Sequence, residues 1–357
     1  MKMKLFAAAV AALAAGGAYA QSSVTLYGIA DVGVEYVNKQ PGNGDSVFRM
    51  TSGNYSGSRF GLRGVEDLGG GLKAIFTLEN GFNVDTGGQA DSSRFFNRLA
   101  FVGLQGNFGA VTLGRQNNLI YDFGIQFDPM VVATRYSLGN MDGDLGGGTG
   151  RADNAIKYRG TFGGLTASAL YSFGWNGNNG VGGEIPGEAK AGREYDLGLT
   201  YANGPFAVGA VFNEKRGGTI ATSSDKVRKA AVAGSFAFGP AKAFLGYRYG
   251  KATGSLSVVS GAAIERSDLY WGGVTYNVTP AFALTGAAYY TKNKNTDNDP
   301  WQFVVSGDYA LSKRTDAYLN VAYARNKGNN SYGLGGYGTA EAGSNQTGAV
   351  VGIRHRF

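Results

Sequence analysis

The sequence predicts an all-β fold, a 16-stranded antiparallel transmembrane β-barrel, and three observations carry that expectation. Apolar and polar residues alternate with a period of two through almost the whole chain, which gives each segment one apolar and one wet face. Short and long connections alternate strictly along it, as in barrels with short turns on one side of a membrane and longer loops on the other. Beyond the first residues no run of eighteen or more apolar residues occurs and no helical spacing is sustained, so strands are the only way to cross lipid.

Residues 1–20 come first and read as a secretory signal peptide. Lys2 and Lys4 form a positive start, Leu5 to Ala15 an apolar stretch, and Ala18-Tyr19-Ala20 a small-x-small cleavage site. Residues 21–357 then form one barrel domain. In Val24–Tyr36 the even positions Val24, Leu26, Ala30, Val32 and Val34 oppose Thr25, Tyr27, Asp31 and Glu35. The pattern returns in Leu72–Glu79, Leu165–Phe173, Glu194–Tyr201 and Trp301–Tyr309. Short turns fall near residues 66–71, 107–109, 160–164, 203–205, 239–240, 278–280 and 311–314. Long polar connections fall near 38–46, 83–93, 117–150, 175–192, 214–226, 251–265, 292–299 and 327–346. Fifteen connections join sixteen strands, and an even number leaves both ends of the chain on the short-turn side.

Composition agrees with this and excludes other classes. The 357 residues include 60 Gly, no Cys and one His. Disulfides and thiolate metal sites are ruled out, and His355 alone leaves no route to a histidine zinc site or a catalytic triad, so no metal and no cofactor is expected. A mean hydropathy of -0.16 is what one apolar and one wet face average to. The net charge of +7 falls by two when the signal segment leaves, and the remaining basic residues are scattered, which argues against a nucleic-acid partner. Gly143–Gly150 reads as a loop, because no strand-then-helix frame surrounds it as a phosphate cradle requires.

Parity also assigns charges to the lumen, since a charge facing lipid at mid-depth is costly. With Phe60 and Leu62 outward, Arg59 and Arg63 point inward. With Leu99 and Phe101 outward, Arg94 and Arg98 do the same, and Lys73, Lys157 and Arg159 follow. Arg115 shares the parity of Val111 and Leu113, so the strand must end or bulge near Gly114, or Arg115 must lie at the membrane edge. A barrel of this size leaves a water-filled lumen unless something fills it, and the longest connection, carrying Asp122, Asp128, Asp142 and Asp144, is the obvious filler.

Several segments resemble the Gram-negative trimeric general porins, β-proteobacterial type. They are the start Gln21–Asp31, Gly61–Leu72, Ala100–Leu104, Phe108–Gln116, Tyr309–Thr315 and the ending Gly352–Phe357, in family order across the chain. The resemblance implies an outer-membrane homotrimer whose third loop folds into the lumen, passing ions and small hydrophilic solutes passively. It places Arg115 at the constriction and makes Phe357 the signal read by the barrel-assembly machinery. Outer-membrane lipid, lipopolysaccharide and periplasmic chaperones are the further partners it implies. The expected constriction has Arg59, Arg63, Arg98, Arg115, Lys73 and Lys157 on the wall and Asp122 and Asp128 on the third loop. The wall arginines favour anions weakly. The loop departs from the Pro-Glu-Phe-Gly-Gly-Asp of many enteric porins, reading Phe127-Asp128-Pro129-Met130. A solute-specific channel would need an aromatic track, for which Tyr27, Phe244 and Tyr289 are too scattered. A barrel enzyme would need a supported nucleophile, and His355 at the rim is badly placed for one, so no enzymatic activity is expected.

Overall fold

The computed structural model describes residues 23–146, 149–177, 183–294 and 296–357; the expected signal segment lies outside them. The chain runs through β1 (Ser23–Val37), β2 (Val47–Ser52), β3 (Arg59–Gly69), β4 (Leu72–Gly81), β5 (Leu99–Gly106) and β6 (Gly109–Asn117). Two short helices, α1 (Leu119–Phe127) and α2 (Leu138–Met141), stand in the third loop. The wall continues with β7 (Arg151–Phe162), β8 (Leu165–Ser172), β9 (Glu194–Asn203), β10 (Phe206–Arg216), β11 (Lys226–Phe238) and β12 (Ala241–Ala252). It ends with β13 (Arg266–Thr279), β14 (Phe282–Asn293), β15 (Trp301–Ala310), β16 (Thr315–Arg325) and β19 (Gln346–Arg356). A small hairpin, β17 (Tyr332–Gly333) with β18 (Gly336–Tyr337), sits in the last long loop.

Each wall strand pairs antiparallel with its neighbour, and β1 pairs with β19, closing the sheet with no free edge among the described residues. Closure satisfies the backbone groups that lipid could not. Both β2 and β3 pair with β1, so they are two halves of one interrupted wall strand and the barrel has sixteen positions. The interruption, residues 53–58, was not expected from the alternation. Its cause is Asp31, whose buried carboxylate accepts the amides of Asn54, Tyr55 and Ser56 at 3.2, 2.9 and 2.6 Å and the Tyr318 hydroxyl at 2.6 Å. The segment turns inward to supply those donors.

The outer face is apolar, with Val24, Leu26, Leu197, Leu245 and Val305 exposed, while Glu35, Glu194, Gln302 and Ser306 on the opposite parity are buried. Stacked rings of Tyr290, Trp301 and Phe303 mark the long-loop rim, as expected of an interfacial girdle. The turn after β3 uses three consecutive glycines, Gly69, Gly70 and Gly71, all at positive φ, a conformation that side chains resist. One parity assignment is corrected. In β5 the outward residues are Val102 and Leu104, and Phe101, paired with Gly114, is on the inward parity. Both parities of β5 are apolar there, so alternation could not choose between them.

Candidate functional site: an arginine-lined cavity

The third loop is built to lie against one side of the barrel. Asn118 caps α1 by accepting the Tyr121 amide, and its own amide group donates to Glu194 at 2.9 Å. The Leu119 N–H donates to Asp196 at 2.7 Å, so acids of β9 anchor the helix start. Phe123 and Phe127 pack with the Trp271 indole, which donates 3.0 Å to the Phe127 carbonyl. Pro129 seats against Gly273, where an added Cβ would lie 2.6 Å from its ring.

The loop's acids are occupied in this docking. Asp142 binds Lys229 at 2.6 Å and Arg248 at 2.9 Å, and Asp144 binds Lys229 at 2.6 Å and Lys215 at 2.7 Å. Burial alone would raise the Asp144 carboxyl, but Lys215 and Lys229 override it and hold it well below the usual carboxylate range. Asp122 pairs with Lys157 beside the helix. Asp128 is fully buried, accepts the Tyr289 hydroxyl at 2.6 Å and the Val132 amide at 2.8 Å, and burial pushes its carboxyl up to about 6.

Between the docked loop and the facing wall a cavity of about 830 Å³ opens, lined by Arg59, Arg98, Arg115 and Arg151 and, among the described residues, by one carboxylate, Asp91. Arg59 extends from the start of β3 and donates its Nε to the Gly57 carbonyl. Arg98 precedes β5 and binds Glu79 at 2.6 Å through Nε. Arg151 lies over the Tyr121 ring, 5.4 Å from its centre. Arg115 reaches the lumen through a bulge. Gly114 has φ +128°, the register against β7 shifts between Gly114 and Gln116, and the guanidinium then bonds Asp153 and the Asn97 carbonyl. Arg94 holds the same Asp153 at 2.8 Å. Gly57 keeps the space open, since a Cβ there would sit 3.2 Å from Arg98 Nη1 and 3.8 Å from Thr134 Oγ1.

Of the residues expected at the constriction, Arg59, Arg98 and Arg115 line this cavity, Arg98 because it stands ahead of the strand and not by the parity assumed for it. The others lie outside its lining. Arg63 lies further down β3, stacked 5.3 Å from the Tyr27 ring, and Lys73 is exposed beside the first turn, six residues along β4 from Glu79. Lys157 and Asp122 neutralise each other outside the cavity lining, and Asp128 faces the β14 wall, because its lone pairs serve the loop's own amides. Arg151, Lys215, Lys229 and Arg248 were missed, although the last three stand on inward parities of β10, β11 and β12 beside Val211, Ala231 and Gly246.

Phe357 ends the chain next to β1, exchanging backbone hydrogen bonds with Gly28 at 3.0 and 3.1 Å. Its exposed ring lies where a Cβ on Gly28 would be, 2.2 Å away. His355 is exposed at the rim and bonds Thr315 at 2.8 Å. Among the described residues no group of His, Asp and Glu is arranged to hold a metal ion.

Comparison with known proteins matches residues 7–329 to the profile described as Gram-negative porin. The chain is 36% identical over 372 residues to outer membrane porin protein 32 of Delftia acidovorans, covering 100% of both. It is 32% identical to an outer membrane porin protein of Bordetella pertussis, again over 100% of both chains. Among solved structures, the anion-selective porin from Comamonas acidovorans superposes with a TM-score of 0.79 at 32% identity, over 94% of this chain and 100% of that one. OmpF of Salmonella typhi, at 18% identity, shares the fold with a TM-score of 0.72, over 94% of this chain and 97% of that one.

Proposed function

The chain belongs to the Gram-negative porin family, and on that premise we propose that its pore passes anions in preference to cations. It is an integral outer-membrane protein, a water-filled β-barrel for passive diffusion of ions and small hydrophilic solutes, and the family points to a channel and not to an enzyme. One observation carries the anion preference. The cavity is lined by four arginines and one carboxylate, while the loop acids Asp122, Asp128, Asp142 and Asp144 are all absent from its lining. A narrow passage with low-dielectric walls concentrates ions of the opposite sign. The arginines that set it are Arg59, Arg98, Arg115 and Arg151. The similarity to a porin described as anion-selective supports the same reading.

The reading extends to a homotrimer assembled in the outer membrane among lipopolysaccharide. Periplasmic chaperones deliver the chain and the barrel-assembly machinery reads Phe357, as the family resemblance implies. Reconstitution into a planar bilayer under a potassium chloride gradient tests it. Conductance should appear in groups of three, with a reversal potential of the sign set by chloride. A potassium-signed potential would overturn the anion preference, and single isolated steps would overturn the trimer.

A further inference from the structure

We infer that among anions the cavity selects those with an apolar body, namely aliphatic or aromatic monocarboxylates, over equally large hydroxylated ones; this rests on the anion preference above. The observation behind it is the loop side of the cavity. Ile125 and Val131 stand there in the lumen, Val131 more than half exposed, with Val132 and Ala133 beside them. Apolar side chains in a water-filled passage lose their hydration cost only when something apolar covers them.

Their placement is held against strain. Val131 and Val132 have φ of +53° and +48°, consecutive β-branched residues in the left-handed region, where such side chains are outliers. The Val131 amide donates to the Asp128 carbonyl at 2.9 Å and the Val132 amide to the Asp128 carboxylate at 2.8 Å. That carboxylate is fixed to the wall by Tyr289. A buried acid and a tyrosine therefore maintain a backbone shape that presents Val131 to the lumen. Strain of this kind gathers where a ligand is positioned.

The wall side offers the complementary chemistry. Arg59 and Arg98 each use Nε for an internal hydrogen bond. Their terminal nitrogens make no protein hydrogen bond among the described residues, and so remain free for a carboxylate. Guanidinium matches carboxylate geometry in a two-point contact that a spherical halide cannot make. A solute with a carboxylate at one end and a hydrocarbon body at the other satisfies both sides at once. A polyhydroxylated anion would lose hydrogen bonds to water against Val131 and Ile125.

The test compares benzoate with threonate, monoanions of equal heavy-atom count, by bi-ionic reversal potentials across the full channel in planar bilayers. Benzoate should pass more readily than threonate by roughly threefold beyond the ratio of their mobilities in water. Ile125→Ser and Val131→Ser should bring that excess to one while leaving chloride-over-potassium preference unchanged. Val131→Gly, which suits the positive φ and so folds without strain, should do the same. Equal passage of the two anions in the unmodified channel, or an excess that survives Val131→Gly, would overturn the inference. Loss of the chloride preference itself, measured separately in potassium chloride, would instead overturn the reading on which it rests.

Discussion

The hydroxyl of Tyr289 on β14 donates a 2.6 Å hydrogen bond to the carboxylate of Asp128, and both side chains are fully buried. This contact ties the tightest part of the third loop to the barrel wall. Asp128 then passes the constraint to the amides of Val132 and Leu138 at 2.8 and 3.4 Å.

A pH dependence follows. Burial raises the Asp128 carboxyl from 3.8 to about 6, so the docked loop binds this proton more tightly than an undocked one. Docking should be firmest below about pH 4 and weaken as pH rises through 6, by up to roughly 3 kcal/mol from this group. Hydrogen exchange at the Val131 and Val132 amides between pH 4 and 7, corrected for intrinsic rates, reads it. Asp128→Asn should flatten the slope; an unchanged slope would assign it to another group.

Lys229 contacts both Asp142 and Asp144 and is almost fully buried. Lys229→Met leaves two carboxylates short of a partner, and the loss of one member of a buried charge cluster costs about 3–5 kcal/mol. The barrel should still form, with its heat-resistant mobility on gels intact, while the loop becomes open to protease and the channel current noisy. A quiet, protease-resistant channel would show that Lys215 and Arg248 suffice.

Removing arginines one at a time should separate the wall into two groups. Arg59→Ser, Arg98→Ser and Arg115→Ser should each lower the chloride-to-potassium permeability ratio by roughly twofold to fivefold, the effect of one unit charge at close range in water. Arg63→Ser and Lys73→Ser, outside the cavity lining, should change it far less. Equal effects of all five would mean that general lumen charge sets the preference.

Gly114→Val tests the bulge. A Cβ at this position would meet the Ala100 carbonyl oxygen at 2.2 Å, and its φ of +128° excludes side chains. Refolding yield in detergent should fall severely, and any channels recovered should carry a displaced Arg115 and reduced anion preference. Normal yield and selectivity would mean that the bulge moves to a neighbouring residue.

Much of the fold was legible because alternation is a local signal. The order of short and long connections and the wall parity of β1, β9 and β15 follow from neighbouring residues in the chain, and closure of the sixteen strands follows from the need to pair every backbone group in lipid. The site was less legible, because its chemistry depends on partners distant in sequence. Nothing near Asp142 announces Lys229 and Arg248, and nothing near Asp128 announces Tyr289. Alternation also fell silent where both faces are apolar, as in β5, and where Asp31 draws the backbone of 53–58 inward without disturbing the pattern on either side. Arg115 lay between these cases. Its parity conflict with Leu113 already pointed to a bulge at Gly114, and the shifted register there resolves the conflict.

The pairing of the loop acids with Lys215, Lys229 and Arg248 has a second consequence, because the contacts that dock the loop also occupy its carboxylates. The third loop carries four carboxylates, and two of them, Asp142 and Asp144, are matched by bases on β10, β11 and β12. Anchorage and charge balance are therefore one set of contacts here. Losing those bases would free the loop and leave its carboxylates unbalanced at one stroke, with no new acid required.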